Sequence, residues 1–107
     1  MIGRLEGRLI ECFPDRVVLD AGGVGYDAQI SLQTFYAMSG RQGERVVLHV
    51  HTHVREDALT LFGFLDADER AMFRHLIAVS GIGPKVALAM LSGITPSDLR
   101  GAIAERD

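Results

Sequence analysis

The period of the apolar residues changes once along this chain, and that change sets what it can fold into. Up to Phe64 apolar and polar residues alternate in short runs that end at glycines; after Asp66 the apolar residues fall at helical spacing. Alternation is the signature of strands with one buried face, and the later spacing that of helices with one buried stripe. Ile2 to Glu11 alternates approximately, Pro14-Asp15-Arg16 is a turn signal, and Arg16 to Asp20 alternates again. Gly22-Gly23 predicts a tight turn into a third strand, Val24 to Ile30. Gly25 within that run suggests a bulge or a close backbone approach. Ser31 resembles a helix cap, with Leu32, Phe35 and Tyr36 at helical spacing behind it. Gly40 to Gly43 breaks the chain, after which Glu44–Val54 and Ala58–Phe64 read as two more strands.

Three strands, a short helix and two strands predict a five-stranded barrel of the OB-fold type over residues 1–65. An SH3-like barrel is the competing small barrel, but the helix between the third and fourth strands favours OB. Residues 66–107 predict a second, all-helical part. Asp66 with Glu69 three residues on resembles a capping box, and Met72, Phe73, Leu76 and Ile77 form one stripe. Pro84 opens a second helix with Val86, Ala87, Met90 and Leu91 inward, and Thr95-Pro96 opens a third.

Bulk properties narrow the function classes. The chain has 107 residues, 48% of them hydrophobic, which suits a folded protein. No apolar run approaches the roughly 20 residues that span a bilayer. The start, Met1-Ile2-Gly3-Arg4, lacks a basic segment followed by an apolar one, so no leader and a cytoplasmic location are expected. Cys12 is the one cysteine, expected as a small apolar filler. Net charge is −3, with six basic and eight acidic residues up to Leu65 and five and six after it. Neither part is a basic domain, so any DNA binding must use backbone amides, a local cluster or repetition in an oligomer.

Ser80-Gly81-Ile82-Gly83-Pro84-Lys85, with a helix on each side, is the stretch that carries chemistry. Two glycines permit a tight turn and leave no side chain to block an approaching ligand. Amides of the turn and of the next helix's first residues then form a cluster that suits a phosphate oxygen. Lys85 stands in that first turn, and Ile82 can anchor the hairpin inward. Such a site reads DNA backbone and not sequence. The plain alternative is an ordinary turn between two helices. The G-x-G follows a helix and lacks a third glycine, so it is no dinucleotide fingerprint.

Arg55-Glu56-Asp57 lies between the last two strands; as a hairpin tip it is an ordinary solvated turn, or, facing DNA, a device that repels phosphates. His49, His51 and His53 alternate along one strand and share a face. A metal site is conceivable there, but no Asp, Glu or Cys stands in an obvious ligand arrangement, and they are read as polar residues on an outward face. Tyr26, Phe35, Tyr36, Phe62, Phe64 and Phe73 are expected in the core. No nucleophile–base pair, Walker loop or catalytic carboxylate pair is present, and no cofactor is expected.

Five blocks in order resemble the RuvA family over the whole length: Met1-Ile2-Gly3-Arg4-Leu5, Gly22-Gly23-Val24-Gly25-Tyr26, Val54-Arg55-Glu56-Asp57-Ala58, Leu61-Phe62-Gly63-Phe64 and Gly81-Ile82-Gly83-Pro84-Lys85-Val86-Ala87. The resemblance implies an OB barrel followed by helix-hairpin-helix motifs, and a non-catalytic subunit that assembles as a homotetramer on four-way (Holliday) junction DNA in recombination and repair. It implies that Glu56 and Asp57 are the acidic pin at the junction centre, and that Gly81, Ile82, Gly83 and Lys85 hold a phosphate of one arm. It further implies a hexameric ATPase motor, RuvB, as partner. The family's chain continues into a second helix-hairpin-helix, a linker and a small motor-contacting domain; the 107 residues end before these, so weakened junction binding is expected of them. A self-assembling or protein-binding OB module is the reading from a different class.

Overall fold

A computed structural model describes residues 1–93 of the chain. Strands β1 (Arg4–Phe13), β2 (Arg16–Ala21), β3 (Val24–Gln29), β4 (Arg45–Val54) and β5 (Leu59–Phe64) close into a barrel in the order β1-β2-β3-β5-β4. Helix α1 (Leu32–Met38) joins β3 to β4, and α2 (Ala67–Ile77) and α3 (Pro84–Gly93) follow the barrel. β3 and β5 run parallel, and every other neighbouring pair is antiparallel. This is the OB connectivity that the strand and helix order predicts. The anticipated helix at Thr95-Pro96 lies outside the described residues.

Closure depends on β1, which pairs β4 with its first half and β2 with its second. The register shifts between Leu9 and Glu11, a bulge that bends the strand from one neighbour to the other. A Cβ on Gly7 would run into the backbone carbonyl of Asp20, and one on Gly63 would meet Leu48 Cδ1 at 2.8 Å. These two glycines, and not Gly25, are where the wall packs too closely for a side chain. At Gly25 the β2–β3 register is unbroken, and a Cβ would touch only Val18 Cγ1, at 3.5 Å.

Alternation fills the barrel: Leu5, Leu9, Val17, Leu19, Val46, Leu48 and Val50 point inward, and Met38 from α1 joins them. The α1 face differs from the expected one. Thr34 and Met38 are buried, while Leu32 is 38% and Tyr36 65% exposed. A polar residue can face inward because its groups are satisfied: the Thr34 N–H donates to Ser31 Oγ, and its hydroxyl donates to the Glu69 carboxylate at 3.2 Å.

β5 departs from alternation. Leu61, Phe62, Gly63 and Phe64 are all buried, because the barrel covers one face and the helices the other. Phe73 of α2 lies 5.1 Å from the Phe62 ring and 5.0 Å from the Phe64 ring, and Leu76, Ala87 and Leu88 complete this second core. Asp66 caps α2 by accepting from the Glu69 N–H at 2.7 Å. The other half of the expected capping box does not form, since the Glu69 carboxylate turns to Thr34 instead. No helix among the described residues is long and apolar enough to cross a membrane.

Candidate nucleic-acid interface

The hairpin between α2 and α3 is a pair of tight turns around one buried residue. The Val79 N–H donates to the Leu76 carbonyl at 3.0 Å and the Ile82 N–H to the Val79 carbonyl at 3.1 Å. Gly81 has φ +87°, the left-handed region that favours glycine. Ile82 is 5% exposed and packs into the second core, as its place between two glycines predicts. The Ala87 N–H donates to the Gly83 carbonyl, which makes Gly83 the cap residue of α3 and leaves the amides of Lys85 and Val86 without an intrahelical acceptor. Gly81, Gly83 and Lys85 are exposed.

Gly83 differs from Gly81 in one respect. Its φ is not positive, and a Cβ built on it meets no heavy atom of the described residues within 4 Å. Nothing in the described fold requires glycine there.

The acidic tip joins β4 to β5. The Arg55 N–H donates to the Ala58 carbonyl at 2.7 Å and closes the loop, with Glu56 and Asp57 exposed at its end. Among the described residues neither acid forms a salt bridge. Tip and hairpin border one cleft of about 390 Å³. Arg55 and Ala58 from the tip and Gly83, Pro84 and Lys85 from the hairpin line it, together with Gln29, His53, Thr60 and Phe62. A larger cavity of about 680 Å³ adjoins it past Lys85, reaching Arg16, Asp27 and Leu59. Sequence patterning names the tip and the hairpin but not this meeting, which the pairing of β3 with β5 and the packing of α3 beneath them create.

The histidine face is not a free outward face. His51 lies 5.5 Å ring to ring from Phe73, and its Nδ1 accepts from Arg74 Nε at 3.2 Å. Arg70 Nη1 donates to the Gly3 carbonyl at 2.7 Å and the Val50 carbonyl at 3.3 Å. At His51 the face is therefore where α2 sits on the barrel. Burial first, then the charge of Arg74, His53 and Arg70, holds the His51 imidazole below the usual histidine value. No group of three His, Cys, Asp or Glu side chains suited to a metal ion occurs among the described residues. Cys12 is partly buried against the barrel core, and that burial raises its thiol.

Two family models match the chain: the RuvA N terminal domain over residues 1–63, and the SAM-like helix-hairpin-helix tandem over residues 73–106. Proteins named Holliday junction branch migration complex subunit RuvA align with all 107 residues. The one from Syntrophobacter fumaroxidans is 49% identical, with 54% of its own length covered. That from Sinorhizobium medicae is 55% identical with 52% covered, and that from Neisseria meningitidis 51% identical with 55% covered. The chain thus spans about half the length of the curated relatives it matches. A closed OB barrel, a helix-hairpin-helix docked on its last strand and these matches in the same order place the chain in the RuvA family.

Proposed function

We propose that the chain is the junction-holding part of a branch migration subunit, binding four-way DNA by its shape and not its sequence. Residues 1–65 form the barrel domain and 66–107 the helix-hairpin-helix domain. The hairpin amides, with Gly81, Gly83 and Lys85, take a phosphate of one arm, while Ile82 anchors them from below. Glu56 and Asp57 act as the pin, their charges keeping phosphates off the centre. An acidic chain with one such hairpin among its described residues makes few phosphate contacts there, so tight binding needs several copies, and a homotetramer matches the four arms. The subunit is non-catalytic and works in the cytoplasm; strand movement is driven by the RuvB ATPase, which the whole protein engages.

Gly83 carries this reading. It stands in the hairpin beside the open α3 amides, and since neither backbone conformation nor packing demands glycine there, its missing Cβ leaves their approach clear for a ligand. Gly83→Val is therefore expected to fold, with a circular dichroism spectrum like that of the wild type, and to weaken binding to junction and duplex alike. Binding of the wild type is measured on a four-way junction and on linear duplex over a range of salt. A preference for the junction and a steep loss with salt are expected. Equal binding to both DNAs, or an unaffected Gly83→Val protein, refutes the proposal and leaves a self-assembling OB module.

A further inference from the structure

We propose that Arg55, held by His53, forms with Lys85 a second phosphate seat in the cleft between the hairpin and the tip, where one DNA strand is held short of the acids. This rests on the junction-binding reading and adds residues to it.

Charge placement comes first. Arg4, Arg16, Arg41 and Arg45 each meet a carboxylate. Among the described residues Arg55 and Lys85 form no salt bridge, yet they line one cleft of about 390 Å³ whose lining holds no Asp or Glu. An anion that enters this cleft therefore meets two positive side chains and no carboxylate in its lining.

Orientation comes second. Arg55 Nε donates to His53 Nε2 at 3.4 Å. The His53 ring stands edge-on to Phe62, 6.4 Å between centroids, and Phe62 is 2% exposed. A ring fixed on β4 thus holds the inner nitrogen of a loop arginine and leaves its two terminal NH2 groups free. A guanidinium so held can give two parallel hydrogen bonds to a phosphate at small entropic cost. His53 is in this sense a positioning residue, and Arg55 and Lys85 are the groups that touch the strand.

The test is a salt titration of junction binding by the intact chain and four variants. Arg55→Gln is expected to weaken binding about five-fold and to lower the salt slope by about one, the value of one lost phosphate contact. His53→Val removes the acceptor while suiting a strand, and is expected to lose part of that affinity with little change in melting temperature. His53→Gln restores an oxygen acceptor for Arg55 and is expected to stay close to the wild type. A merely structural histidine would make the Val and Gln variants alike and leave the slope untouched. If Lys85→Ala weakens binding but Arg55→Gln changes neither affinity nor slope, the second seat is wrong and the junction reading stands. If His53→Gln falls as far as His53→Val, the positioning role is wrong. Wild-type protein that fails to prefer the junction removes both readings together.

Discussion

His51 shows how a single side chain can tie fold stability to acidity. It is pressed against Phe73 and accepts from Arg74, with His53 and Arg70 nearby. A proton therefore binds less readily in the folded chain than in the unfolded one. The sign follows: the contribution is whole above the unfolded value of about 6.5 and is lost as pH falls through the lower folded value. Glu69 acts in the opposite sense, because burial raises its carboxyl and acid relieves that cost. A variant comparison cancels the Glu69 part. His51→Phe keeps a ring against Phe73 and removes the titrating nitrogen. Its thermal midpoint is expected to fall less than that of the wild type between pH 7.5 and pH 5; parallel falls would show that His51 is not the sensor.

Among elements, α2 decides whether the helical part exists. Its inner face meets β5 through Phe73, which touches both Phe62 and Phe64, while the barrel interior is a separate cluster. Phe73→Ala is expected to cost about 3–5 kcal/mol of local stability. Hydrogen exchange should then show the amides of α2 and α3 losing protection while β1 and β2 keep theirs. Uniform loss over both parts would mean that the two clusters unfold as one. This arrangement was only partly legible beforehand. The change of period after Phe64, the Asp66 cap and the buried Ile82 all follow from local spacing. The inward turn of Thr34, the exposed Tyr36 and the diverted Glu69 carboxylate do not, since each depends on an element distant in sequence. For the same reason the histidine alternation pointed to a solvated face, when α2 packs on its middle member, His51. The hairpin and the tip were readable as motifs, but the cleft between them, with His53 and Arg55, needed the barrel to close.

For the whole molecule, the proposed junction binding makes selectivity a matter of the balance of charge between tip and cleft. In the proposed homotetramer, four copies of Glu56 and Asp57 would bring eight acidic groups close together, an arrangement that would cost energy unless it excluded phosphates from the centre. Glu56→Gln with Asp57→Asn keeps side-chain size at an exposed loop, so stability is expected to change by less than about 0.5 kcal/mol. The double variant is expected to bind linear duplex more tightly than the wild type and to lose its preference for the junction. Competition between the two DNAs at one salt concentration reads this directly, and an unaltered preference ratio would leave the pin without a role.

β5 begins just after the acidic tip and ends under the helices that carry the hairpin. Its six residues span about 20 Å, and it is hydrogen-bonded to β4 on one side and β3 on the other. A strand paired along one whole edge and pinned at its middle on the other neither stretches nor slides. The separation of tip and hairpin is then a fixed gauge, like the jaws of a caliper set once, and under the proposed function the nucleic acid, the softer of the two bodies, is the one expected to change its dimensions to fit.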